Sequence, residues 1–172
     1  MMLSPAIIGV VAGATTYLTG MDLARTEKAT PPGELHDGID KARRQSLLEG
    51  EIMTGASLLL SKPIARLLPF GIGRFFTPAA VTFAFAAGTA VSVVSHLHEA
   101  NTHKHNRAYH KLFMSGAIGS SLETAGLTAI GVGLLPFVGG PIKVGLIAAG
   151  LGAIALGWPT SLGHGPLAAA IK

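Results

Sequence analysis

Five histidines crowd into "HLHEANTHKHNRAYHK", His96 to Lys111, in a chain with seven histidines and no cysteine. Neutral imidazole is a good ligand for zinc, copper or nickel. In a helix, His96, Glu99, His103 and His110 would share one side. The pairs His96/His98 and His103/His105 would converge better in an extended chain. No single conformation gathers all five, so no tight metal binding and no cofactor are expected. The simpler expectation is a polar connector at a membrane surface, where Lys104, Arg107 and Lys111 meet lipid headgroups. Imidazole also titrates near pH 6.5, so the stretch is a candidate sensor of mild acid.

A second chemical candidate is Glu123, the one charged residue between Leu112 and Leu135. A carboxylate at the centre of an apolar helix costs about 2.5–3.5 kcal/mol on insertion scales and usually faces a bundle interior or water. Two expectations follow. Glu123 handles a proton or an ion, or it is a buried group satisfied within a turn by Ser120, Ser121 or Thr124. No nucleotide loop, catalytic triad or zincin motif is present, and "GIGRFF" is not a dinucleotide fingerprint. An enzyme is therefore not expected.

The segments that must carry these residues are strongly apolar. Of 172 residues, 49% are hydrophobic and 13% charged, against about 25% charged in ordinary soluble domains. Hydrophobic stretches lie at 5–20, 46–60, 75–95, 112–135 and 141–158. Thr77 to Ser95 carries no charge, and a membrane-spanning helix needs roughly 20 such residues. Glu49 and Glu51 fall in the first turns of the 46–60 stretch, which could span or lie flat in the interface. The opening residues lack a basic flank ahead of their apolar run, so a retained helix is expected rather than a signal peptide. Ser4 and Pro5 suit its first turn.

"LLPFGIG" (67–73) and "LLPFVGG" (134–140) are nearly the same string, 67 residues apart. Upstream, "KARRQSLLEGEIMTG" (41–55) aligns loosely with "RAYHKLFMSGAIGSS" (107–121). The expected fold is an all-α integral membrane bundle of four or five membrane helices in one domain, 1–172. It comprises an N-terminal helix (1–22) and two tandem helical hairpins, 41–95 and 107–158. With five spans, 21–45, 96–111 and the C-terminus share one side with nine Lys and Arg, against four on the other. Positive-inside then places the histidine stretch in the cytoplasm.

Small residues recur every fourth position: Gly9 and Gly13; Ala80, Ala84, Gly88 and Ser92; Gly116, Ser120, Thr124 and Thr128; Gly145, Ala149, Ala153 and Gly157. Positions i and i+4 share a helix face. In lipid, close packing of small residues replaces the hydrophobic effect as the force between helices. These stripes are expected to pack helices within the chain or between copies.

The formal charge of +4 is small and dispersed, so lipid is the expected partner and nucleic acid is not. A hairpin with a mid-helix carboxylate and a glycine-striped partner is loosely similar to rotary-ATPase ring subunits. Here the bend lacks a polar loop and three further helices are present. The expected function is a non-enzymatic structural or assembly subunit of a membrane complex, homo- or hetero-oligomeric. The alternatives are a holin-like or toxin-like pore, and a proton- or metal-responsive membrane protein.

Overall fold

The computed structural model describes residues 5–59 and 77–171. Among them every regular element is helical: α1 (Pro5–Ala29), α2 (Glu34–Leu59), α3 (Pro78–Thr102), α4 (Arg107–Gly133), α5 (Gly140–Ser161) and the short α6 (Gly165–Ala169). Each helix starts where the chain offers a stop. Pro31, Pro32 and Gly33 separate α1 from α2. Thr77 caps α3, accepting from the Ala80 N–H at 3.2 Å, with Pro78 in the first turn. Asn106 caps α4 through the Tyr109 N–H at 3.1 Å. Gly140 opens α5 with φ +48°, a left-handed geometry that glycine adopts at little cost.

Close backbone packing joins α1 to α2, α3 to α4, and α4 to α5. Consecutive helices run antiparallel, and α4 lies between α3 and α5. The bend 67–73 of the first expected hairpin lies outside the described residues. The second bend, 134–140, is the α4–α5 turn. The close partner of α2 is α1, while α2 meets α3 through side chains such as Lys41 on Glu99.

The core has two apolar layers with a polar layer between them. One layer gathers Ala12, Met53, Phe85, Leu127, Ile130 and Ile154. The other gathers Leu23, Ile39, Ala42, Ala100, Tyr109 and Phe113. Each of the first four helices passes from one layer to the other, as from Ala12 to Leu23 in α1 and from Phe113 to Leu127 in α4.

Reciprocal glycines set the helix spacing. A Cβ built on Gly119 would sit 2.8 Å from the Gly157 carbonyl oxygen, and one on Gly157 would sit 2.8 Å from that of Gly119. Gly126 and Gly150 face each other in the same way at 2.5 Å, and Gly13 and Gly50 at 2.9 and 2.8 Å. No other residue fits at such distances without moving a helix.

The four-residue stripes are therefore corrected in part. Gly9, Gly13, Gly116, Ser120 and Gly157 are buried where helices meet. Ala80, Ala84, Gly88, Gly145 and Ala149 face outward, and nothing lies within 4 Å of a Cβ at Gly88 or Gly145. In α5 the packed face is Gly150, Ile154, Gly157 and Thr160. Ile154 is 6% exposed, whereas Ala153 is only half-buried. The seven-residue spacing of Gly119/Gly126 and of Gly150/Gly157, not the four-residue one, marks the seam.

By length and apolar content two helices, α3 and α5, could cross a membrane, each with mean hydropathy 1.6. Four or five spans were expected. Charges in the first turns of α2, several of them exposed in ion pairs, lower its hydropathy, and the hydroxyls and glycines that α4 turns inward lower that of α4.

The seam yields a paired prediction. Gly150→Leu should destabilise the bundle by about 1–3 kcal/mol through overpacking. Gly145→Leu, which gains the same helix propensity on an open face, should not. Thermal unfolding in detergent compares them, and equal melting temperatures would remove the seam from the account.

Candidate functional site

The polar layer holds a partly open cavity of about 30 Å³ that all five long helices help to line. A cavity needs roughly 10–15 Å³ by this measure to hold one water, so there is room for one or two. α1 contributes Thr16 and Thr19, α2 Glu49, α3 Ser92 and His96, α4 Ser120 and Glu123, and α5 Ser161. The element that supplies each residue also explains its position. Ser92 and His96 lie between Phe85 and Ala100 on α3. Ser120 and Glu123 lie between Phe113 and Leu127 on α4, so the same stagger that fills the two apolar layers sets these groups level.

Glu49 is held from two helices. It accepts from Gln45 Nε2 at 3.0 Å on its own helix and from Ser92 Oγ at 2.8 Å on α3. His96 Nδ1 lies 2.8 Å from the Ser92 carbonyl oxygen, to which it donates, leaving Nε2 as the acceptor of the neutral ring. The ring sits 5.7 Å from that of Phe113 and fills the space that Gly116 leaves open.

Glu123 differs. It is 9% exposed and has no hydrogen-bond partner among the described residues. Two of the three hydroxyls expected to satisfy it point elsewhere. Ser121 donates to the Ala117 carbonyl at 2.7 Å and Thr124 to that of Ser120 at 2.8 Å. Short hydroxyl side chains in a helix reach the carbonyl one turn back in preference to a neighbour across the groove. Among the described residues no lysine or arginine lines the cavity.

The histidine stretch separates. The expected connector 96–111 shortens to the turn His103–Asn106, since α3 runs on to Thr102 and α4 begins at Arg107. His96 is thus a buried helix residue, not a surface one. His98 is exposed, and His110 Nδ1 lies 2.8 Å from the Ala100 carbonyl oxygen, bracing the α3–α4 turn. His103 stacks on Tyr109 at 4.2 Å. His105 Nε2 lies 3.2 Å from Glu34, which also accepts from Asn106 Nδ2 at 2.8 Å. Among the described residues no three His, Asp or Glu side chains converge as metal ligands.

Sequence reasoning placed Ser92, Gly116, Ser120, Glu123 and His96 on candidate lists but did not join them into one site. It missed Glu49, set aside as a doubtful charge, and Thr16, Thr19 and Ser161. The available signal was the depth of each polar residue along its helix. Polar residues lie in or just beside every apolar stretch, but only the packing shows that their levels coincide.

The Asn106 hydrogen bond, chiefly, and the nearby His105 and His103 hold the Glu34 carboxyl below the usual range, with slight burial acting against them. A carboxylate whose folded-state value is depressed adds stability that is present above its ordinary range and lost as pH falls through the folded value. Glu34→Gln should therefore flatten the acid side of the stability profile below about pH 4.5, while leaving neutral pH little changed, because the group is exposed. Melting curves of both proteins across acid pH test it. Identical acid slopes would detach Glu34 from the tie between the two turns.

Comparison with known protein families, with curated proteins and with solved structures finds no match for this chain.

Proposed function

We propose that the chain is a multi-pass integral membrane protein with a non-enzymatic role, packing as a subunit into a larger membrane assembly. The observation that carries this reading is a buried polar layer together with large apolar side chains on the outside. Hydroxyls, a histidine and a carboxylate are buried, among them Thr82, Ser92, His96, Ser115, Ser120 and Glu123. Large apolar side chains face outward on four helices, as Val11 on α1, Ile52 on α2, Val91 on α3 and Ile142 on α5. Water would penalise both choices, whereas lipid favours the second and drives polar groups inward.

Charge placement supports the same reading. The ion pairs cluster at one end of the bundle: Glu27 with Arg43 at 2.6 Å, Asp40 with Arg44 at 2.7 Å, and Glu99 with Lys41 at 2.5 Å. Aqueous headgroups suit that end. The outward small-residue faces, Ala80–Ala84–Gly88 on α3 and Gly145–Ala149 on α5, suit a second set of helices, since small side chains permit close approach in lipid.

Two measurements test the reading. The protein should stay with the membrane fraction after an alkaline wash and require detergent for extraction. Recovery as a soluble monomer without detergent would reject it. Gly88→Leu, on an open face, should leave thermal stability unchanged while reducing the size of the detergent-solubilised assembly. If that assembly keeps its size, the α3 face is simply lipid-facing.

A further inference from the structure

We propose that the cavity at the centre of the bundle binds one small monovalent cation, a sodium ion or a proton, between Glu49 and Glu123. Three observations point there. Two carboxylates from different helices line a space of about 30 Å³ with no lysine or arginine beside them among the described residues. Glu123 is more than nine-tenths buried, lines that space, and has no hydrogen-bond partner among the described residues.

The third is the direction of the surrounding hydroxyls. Thr16 donates to the Ala12 carbonyl at 2.9 Å, Thr19 to Thr15 at 3.0 Å, and Ser161 to Gly157 at 3.1 Å. Ser92 donates to Glu49. The hydrogens of Thr16, Thr19 and Ser161 are engaged and their oxygens remain free to accept, whereas the Ser92 oxygen already accepts from Gln45 Nε2 at 2.9 Å. A lining with surplus oxygen acceptors calls for a positive charge, because buried carboxylates without a counter-charge are strongly disfavoured. Hard oxygen ligands suit a hard, small cation.

The titratable groups facing Glu123 are Glu49 from α2 and His96 from α3. α1 and α5 present only hydroxyls and apolar groups there. Neutral His96, donating from Nδ1 to its own helix, presents Nε2 as a further acceptor.

The site lies within one chain, so its test is read in whatever medium keeps the protein folded, whether or not the membrane reading holds. Thermal unfolding is measured in sodium chloride and in choline chloride at equal ionic strength, near pH 8 and near pH 6. The variants are Glu123→Gln and Glu49→Gln, with Ser121→Ala as a control outside the cavity. A ligand at 100 times its dissociation constant raises the melting temperature of a chain this size by about 5–10 °C. A sodium-specific rise of that order near pH 8, smaller near pH 6 and lost in Glu123→Gln but kept in Ser121→Ala, identifies sodium. No sodium effect, with a rise from pH 8 to pH 6 in the native protein that Glu123→Gln lacks, identifies the proton. Should Glu123→Gln fail to fold, Glu49→Gln carries the same comparison. A native protein whose melting temperature responds neither to sodium nor to this pH change overturns the proposal.

Discussion

Helices that touch backbone to backbone leave no room for side chains at the crossing, and this constraint governs the molecule. At Gly119/Gly157, Gly126/Gly150 and Gly13/Gly50 a single methyl group would collide with the opposite carbonyl. Contact this close brings Cα–H groups against carbonyl oxygens and increases dispersion. It also fixes the stagger between helices, because a slip of one turn would put a bulky neighbour at the crossing. The level at which every other residue sits follows from that stagger.

The polar layer is a consequence. Once α4 is fixed against α5, Glu123 lies against Gly157, whose missing side chain gives its methylene groups space. Once α3 is fixed against α4, His96 fills the gap at Gly116, and Ser92 comes within reach of Glu49 on α2. Apolar layers lie above and below this level. Polar groups so placed interact in a low-dielectric surrounding, where a satisfied hydrogen bond is strong and an unsatisfied carboxylate is costly. Glu49 is satisfied by Gln45 and Ser92. Glu123 is the exception that gives the layer its chemical interest.

The two ends of the bundle divide the remaining work. At the end that holds the α1–α2 and α3–α4 turns, ion pairs and the Glu34–Asn106 hydrogen bond join turns that are distant in sequence. Such exposed contacts contribute little each, but they align the two helical pairs. At the opposite end the described structure is nearly free of charge, with Phe137 80% exposed in the α4–α5 turn.

Composition and local pattern alone determined the helical class, the long apolar segments and the break at Pro31–Pro32–Gly33, whereas α2 and α4 start at Glu34 and Arg107, well ahead of the apolar stretches that marked them. They also singled out Glu123 and His96 as chemically unusual. Which face of a helix is buried was decided only in the tertiary structure. In a chain where Ala and Gly occur on every side, a four-residue stripe such as Gly145–Ala149–Ala153 and a seven-residue pair such as Gly150–Gly157 look equally suited to packing. The choice rests on a carbonyl contributed by the neighbouring helix. The central cavity has the same origin: Glu49 and Glu123 are 74 residues apart in sequence. No local rule states that helices staggered by their glycines bring these two carboxylates to one depth.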